Sequence, residues 1–315
     1  MKLSVILINY NSSAFTLRCV ASIRGQTRLS DYELIIVDNN SQPDDFARLQ
    51  PLASDPVVKL IHSRLNLGFA GGNMLGVQAA SPNSAYHFFL NNDCLLLTDV
   101  GSRLYEYMEQ HPNVGVCVPQ MYNEAGERQH SFSYFPTLGV KLLGHGIMRV
   151  FRPAAYPPLK TAYEAPVQVP VVSGSAMFVR ASAFAEVGGL DTVYFLYCEE
   201  EDLCKRLAQK GYSAVLVPDA RYMHYSGGST RRNLNIEKEY YISLFHYYRK
   251  YHGWPARQLL RLFFFLKNIR KLSRDAMYGQ LAFFILRGSP VGHSLRYKQT
   301  ITRHPDELSP SVVSP

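Results

Sequence analysis

Glu199, Glu200, Glu201 and Asp202 stand side by side, one cysteine after the aromatic run VYFLY (193–197). Like charges held that close beside apolar rings raise one another's pKa, as a general base working near neutral pH requires. The same acids also suit the first turn of a helix, whose dipole stabilises negative charge. At helical spacing Glu199 and Asp202 share a face while Glu200 points elsewhere, so each reading can hold for different members. A second polar group, Asn91-Asn92-Asp93, ends the apolar run YHFFL (86–90). Its carboxylate suits a hard cation, Mg²⁺ or Mn²⁺, bridging a diphosphate, although an ordinary turn has the same composition. His224, in RYMHYSGGS ahead of Gly227-Gly228 and Arg231-Arg232, is a candidate third metal ligand; a lone histidine is also common as a structural residue.

These residues need a scaffold. The runs 3–8, 33–37, 57–61 and 86–90 are apolar without alternation, which predicts parallel strands buried on both faces. Helical patterns fall between them, near 13–25, 43–53, 70–80 and 99–110, so the order is that of βαβ units. From 113 to 170 Pro, Gly and Tyr accumulate, predicting short strands and long loops at the sheet edge, where an acceptor could bind. Order resumes with 170–180, helices near 181–187 and 199–210, and a strand at 212–217. Three helices near 235–252, 256–274 and 276–287 follow.

In an open parallel sheet the ligand sits at the carboxyl ends of the strands. Asn9 and Tyr10 follow the first strand, Asp38 the second, and Asn91, Asn92 and Asp93 the fourth. An aspartate there can accept from a base N–H, and a tyrosine can cover a base face. Helix capping by Asp38 is the plainer alternative. The segment LNLGFAGGNMLG (65–76), with Asn66 near its start, enters a helix through glycines that suit either a phosphate or a tight turn. Its spacing is not G-x-G-x-x-G and it follows the third strand, which disfavours a dinucleotide-dependent oxidoreductase.

In order, SVILINYN, ELIIVDNNS, NLGFAGGN, FFLNND, VSGSAMFVR, FLYCEEEDLCKR and MHYSGGS resemble the family 2 glycosyltransferases of GT-A fold. Within them the likeness is to the bacterial rhamnosyltransferase-like branch that assembles cell-surface polysaccharide, and it covers about 1–230. The resemblance implies an α/β fold with a nucleotide-binding, mostly parallel sheet, and inverting transfer from a nucleotide sugar to a saccharide acceptor that can be lipid-linked. By the same analogy Asp38 contacts the base, Asn91 and Asp93 occupy the D-x-D metal motif, and His224 is a metal-binding histidine. Glu200 falls on the base, with Glu199 beside it. Two positions depart from the pattern: Asn91 replaces an acid, and Glu200 replaces an aspartate. A rhamnose donor, dTDP-rhamnose, is carried by resemblance alone; transfer of galactofuranose or a hexose, and a non-catalytic nucleotide-sugar-binding protein, are the alternatives.

The 315 residues, 47% of them hydrophobic, can bury one large core or one core plus a satellite. The natural division is a catalytic domain at 1–228 and a basic helical extension at 229–315. Residues 1–225 carry 18 Lys+Arg against 20 Asp+Glu, whereas 226–315 carry 15 against 5. Charge alone does not choose the tail's partner, but RQLLRLFFFLKNIRKL (257–272) and LAFFIL (281–286) could either lie on an anionic membrane or pack on the catalytic domain. A nucleic-acid partner is not expected. No run approaches the roughly 18 apolar residues of a membrane span, and five scattered cysteines without C-x-x-C suggest a reducing compartment. The expectation is a cytoplasmic protein, at most peripheral to the inner face of the membrane.

Overall fold

A computed structural model describes residues 1–225 and 233–299. Its strands are β1 (Leu3–Asn9), β2 (Tyr32–Asp38), β3 (Val58–His62), β4 (Tyr86–Asn91), β5 (Cys94–Leu96), β6 (Val114–Tyr122), β7 (Phe132–Ser133), β8 (Val167–Val169), β9 (Val171–Val172), β10 (Ala176–Arg180) and β11 (Ser213–His224). The helices are α1 (Ser13–Gln26), α2 (Pro43–Ala47), α3 (Gly68–Ala79), α4 (Val100–Gln110), α5 (Leu138–Leu143), α6 (His145–Phe151), α7 (Ala181–Glu186), α8 (Glu199–Gln209), α9 (Leu234–Tyr251), α10 (Trp254–Ile269) and α11 (Met277–Leu286).

One sheet runs in the order β3-β2-β1-β4-β10-β6-β11-β5, with β8 also on β11; β7 and β9 form a separate pair. The β3-β2-β1-β4 half is parallel, β10 runs antiparallel to both neighbours, and β11 is parallel to β6. The absence of alternation in the strands has a direct cause. Leu3, Val5 and Leu7 enter one buried cluster with Leu34, Ile36 and Phe88, while Ile6 enters another with Ile35, Val37 and Phe89. Both faces are therefore dry, and each such side chain contributes about 1.5–3 kcal/mol of burial.

The stretch after 113 departs from expectation, because β6 is a nine-residue strand at the heart of the sheet. Gly115 and Pro119 made it read as loop. Yet a Cβ at Gly115 would lie 2.8 Å from the Tyr212 Cβ, so close strand packing requires the glycine. Pro119 pairs with Val217 beside a register irregularity in β11, where a missing N–H is tolerated. That strand also runs beyond the expected end at 217, so His224 is its last residue.

The C-terminal helices are docked. Tyr194 and Cys198 share a buried cluster with Tyr248 of α9, Leu260 and Phe264 of α10, and Leu281 and Ile285 of α11. Among the described residues no helix is long and apolar enough to cross a membrane. Gly227-Gly228, Arg231-Arg232 and the expected boundary at 228/229 lie outside the described residues.

Candidate active site

A cavity of about 350 Å³ opens at the carboxyl ends of β1, β2 and β4. Tyr10 and Ser12 line it from β1, Asn39 from β2, Asn66 and Gly68 from the entry to α3, and Asn91 and Asn92 from β4. Tyr10 is 46% exposed there, leaving a ring face available for stacking. Asn233, Ile236 and Leu295 close the same cavity from the C-terminal part. The turn that carries Leu295 is held by the buried Glu239, which accepts from Ser294 Oγ (2.9 Å) and the Leu295 N–H (2.8 Å). Farther on, Gln299 Oε1 accepts from the Asn66 N–H (2.7 Å). None of these long-range partners was visible in the sequence.

Two expected nucleotide contacts, Asn9 and Asp38, do not line the cavity, and both are fully buried. Asp38 Oδ1 accepts from the Ser41 N–H (3.0 Å) and faces His62 Nδ1 (3.1 Å), while Oδ2 accepts from Asn9 Nδ2 (2.8 Å). Asn9 also donates to Ser41 and Asp45, and its Oδ1 accepts from Thr16. These groups spend their hydrogen-bonding capacity on tying the ends of β1 and β2 together, as buried polar groups must. Asn92 is likewise tethered, donating to Ser12 Oγ (2.7 Å) and Thr16 Oγ1 (2.8 Å), but still reaches the cavity wall. Asn39, overlooked beside Asp38, holds the opposite wall: its Nδ2 donates to Asn66 Oδ1 (3.0 Å) and Gly68 O (3.1 Å), and its Oδ1 accepts from the Leu67 N–H (2.9 Å).

The glycines of 65–76 serve the turn and the packing. The Gly68 N–H is taken by Asn66 Oδ1 (2.9 Å) and the Phe69 N–H by Phe195 O (2.8 Å), so neither is offered to a phosphate. Gly76 lies against β1, where a Cβ would sit 2.4 Å from Ile6 Cγ2. Gly68 has φ +71°, and a Cβ would meet Phe195 O at 2.2 Å. Gly68→Ala is therefore expected to cost about 2–4 kcal/mol, combining left-handed strain with a backbone clash. Urea unfolding measures it, and an unchanged midpoint would show that this turn relaxes freely.

At the far edge of the sheet β5 pairs antiparallel with β11, setting His224 opposite Cys94. That register brings His224 Nε2 to 3.1 Å from Asp93 Oδ1. The Asp93, Cys94 and His224 donor atoms all lie within 4.8 Å of one another. Cys94, however, is buried and donates to Ser175 O (3.5 Å), and burial pushes its thiol well up, so it stays protonated. The carboxylate and imidazole are the pair suited to a divalent cation, with Asn91 two residues away on the cavity wall.

The acidic cluster opens α8. Tyr197 and Cys198 are both left-handed, φ +73° and +68°, which turns the chain sharply into Glu199. Asp202 is structural, with Arg206 Nε on one oxygen (2.7 Å) and Lys250 Nζ (2.7 Å) and Tyr251 OH (2.8 Å) on the other. Burial, aided by the charges of Glu201 and Glu239, pushes Glu199 up to about 8. Glu200 is pushed well above the ordinary carboxylate range, first by burial and then by Glu201 and Glu199. Glu201 is raised as well, again first by burial, so the three carboxyls titrate as one interacting group.

The Glu200 carboxyl lies against Gly174, where a Cβ would be 3.5 Å from its Cδ. Gly174 is the middle of a loop whose next residue, Ser175, accepts through its carbonyl from the Asn91 N–H (2.9 Å) and from the Cys94 thiol. One short loop thus touches both the acidic cluster and the Asn91–Asp93 turn. Neither Glu200 nor Asp93 lines the cavity itself, which approaches them at Leu196 and Asn91.

Residues 4–188 match the family described as glycosyl transferase family 2. The N-acetylglucosaminyl-diphospho-decaprenol L-rhamnosyltransferase of Mycobacterium tuberculosis is 28% identical over 246 residues, 73% of this chain and 78% of that protein. Rhamnosyltransferase WbbL of Escherichia coli K12 is 30% identical over 152 residues, 46% of this chain and 54% of that protein. Among solved structures, that of GalNAc-T7 with UDP, GalNAc and Mn²⁺ superposes with a TM-score of 0.56 at 17% identity, covering 71% of this chain and 44% of that one. The likeness is one of fold.

Proposed function

The chain belongs to glycosyl transferase family 2, in its rhamnosyltransferase-like branch with a GT-A fold, and on that premise we propose that it carries out a metal-dependent, inverting transfer from a nucleotide sugar to an acceptor hydroxyl. The observation that carries this reading is the single loop, Ser173–Ser175, that touches both Glu200 and the Asn91–Asp93 turn.

In this reading the nucleotide occupies the 350 Å³ cavity, with Tyr10 over the base and Asn39, Asn66 and Asn92 along its walls. Asp93 and His224 would hold Mg²⁺ or Mn²⁺, with Asn91 as a neutral oxygen donor, and the cation would stabilise the departing diphosphate. Glu200, once deprotonated, takes the proton of the acceptor hydroxyl at its carboxylate, freeing that oxygen to attack the anomeric carbon opposite the leaving group. Glu199 and Glu201 raise the basicity of Glu200 by their charge. Residues 1–228 act as the catalytic unit, and the extension after 229 completes the cavity wall.

Rhamnose is the proposed sugar, and the name of the mycobacterial relative suggests a lipid-linked diphosphate acceptor for this chain too. Such an acceptor would place the protein at the cytoplasmic face of a membrane, touching it through the basic extension. A panel of nucleotide sugars including dTDP-rhamnose, screened by thermal shift and donor hydrolysis with and without Mn²⁺, tests the function. Metal-dependent stabilisation and turnover with one donor is the expected result. No response to any donor would point to a protein that has lost the activity.

A further inference from the structure

We propose that the hollow between α9, α10 and the turn after α11 binds the phosphate of an anionic lipid headgroup, and that the exposed leucine ridge of α10 lies in the membrane surface. The inference rests on the reading that the C-terminal part meets a membrane, and gives that contact a defined place.

The hollow encloses about 280 Å³ and is lined by Phe245, Arg249, Arg257, Gln258, Arg261 and Gly288. Three of these six are arginines and none is an acid. Arg261 is held in place: its Nε donates to Ile285 O (3.2 Å) and its Nη1 to Gln258 Oε1 (3.0 Å). Gly288, at φ +88°, lets the chain pass close by, since a Cβ there would sit 3.1 Å from Arg261 Nη2. Guanidinium groups gathered around one cavity repel each other until an anion enters, and their planar forks match phosphate oxygens.

The surroundings say which phosphate. Leu259, Leu262 and Leu266 of α10 follow i, i+3, i+7 spacing and so share one face, and all three are exposed, Leu262 at 52%. That face is surplus to the core, because Leu260 and Phe264 already supply the buried side of the helix. Phe283 of α11 is 57% exposed and its ring lies 6.4 Å from that of Phe265, so α11 extends the apolar surface. Farther round α10, Lys267 reaches over the Phe264 ring (5.6 Å), and Lys271, just past the helix end, reaches over that of Tyr278 (5.2 Å). Leucines between basic residues are what an interfacial helix presents, its apolar side chains at the acyl boundary and its cations among headgroup phosphates. A soluble phosphate compound would have no use for the ridge.

The test is co-sedimentation of the full chain with vesicles of phosphatidylcholine alone or mixed with phosphatidylglycerol. Wild type should favour the mixed vesicles, and Arg249→Gln/Arg257→Gln should weaken that binding about 10- to 30-fold, the effect of removing two interfacial cations. Leu262→Gln/Leu266→Gln should lower binding to both kinds of vesicle. The arginine variant should keep wild-type transfer to a soluble acceptor, because neither residue touches the nucleotide cavity. If wild type binds mixed vesicles and the arginine variant binds them equally well, the hollow is not the site while the membrane reading stands. If wild type binds neither vesicle, both are overturned. Stabilisation by inorganic phosphate without any vesicle binding would reassign the arginines to a soluble anion and overturn the lipid proposal.

Discussion

Glu200→Gln is expected to lower turnover by about 10²–10⁴-fold, the usual contribution of a positioned general base, while leaving donor affinity nearly unchanged. The substitution is unusually clean here. A glutamine amide is nearly isosteric with the carboxyl it replaces and carries no charge, matching a group that burial and the charges of Glu201 and Glu199 push well above the ordinary carboxylate range. Stability supplies an internal control. A carboxyl whose folded pKa is raised binds more protons folded than unfolded, so its contribution to stability falls as pH climbs above the unfolded value near 4.5. For Glu199 that decline continues to about 8. Replacing Glu200 by Gln removes one such group, so the variant should melt at or above the wild-type temperature at pH 8. The wild-type rate should rise with pH across the same interval, as the cluster releases the proton that blocks the base. Single-turnover rates, donor titration and melting curves on one preparation check all three. A variant that keeps near-normal turnover would remove Glu200 from the mechanism, and a variant that melts early would reveal a structural role.

The elements that position this cluster were largely legible because each rests on a local signal. Non-alternating runs such as LSVILI and YHFFL identify strands buried on both faces, and the structure places them at Leu3–Asn9 and Tyr86–Asn91. Local signals failed where a distant neighbour decided the outcome. Gly115 and Pro119 look like loop residues until Tyr212 and the irregularity in β11 are in place. Asn9 and Asp38 were correctly marked as polar strand ends, but their burial depends on Ser41, Asp45 and His62 arriving from other segments. Asn39 carried no signal of its own because VDNNS reads equally well as a helix cap. The cavity wall formed by Asn233, Ile236 and Leu295 has no local pattern at all, since it exists only once α9 packs beside Tyr194. The pairing of Asp93 with His224 is the instructive case: residue type nominated both, and only the β5–β11 register joins them.

That pairing makes the second large prediction specific. Asp93→Asn keeps the side-chain shape and a neutral oxygen but removes the one carboxylate at the Asp93–His224 pair. If a cation there contributes several kcal/mol to stabilising the leaving diphosphate, turnover should fall about 10²–10³-fold. Stabilisation of the wild-type protein by Mn²⁺ in a melting experiment should vanish in the variant, a readout independent of activity. Asn91→Asp pushes the other way. Asn91 stands on the cavity wall, and a carboxylate there adds charge to the donor set, which tightens hard-cation binding. The Mn²⁺ concentration giving half-maximal activity should therefore drop, on the order of tenfold, with little change in the rate at saturating metal. An unchanged metal requirement would show that Asn91 lines the nucleotide cavity without touching the cation. Wild-type turnover by Asp93→Asn would reduce the Asp93–His224 pair to a strut that locks β5 against β11.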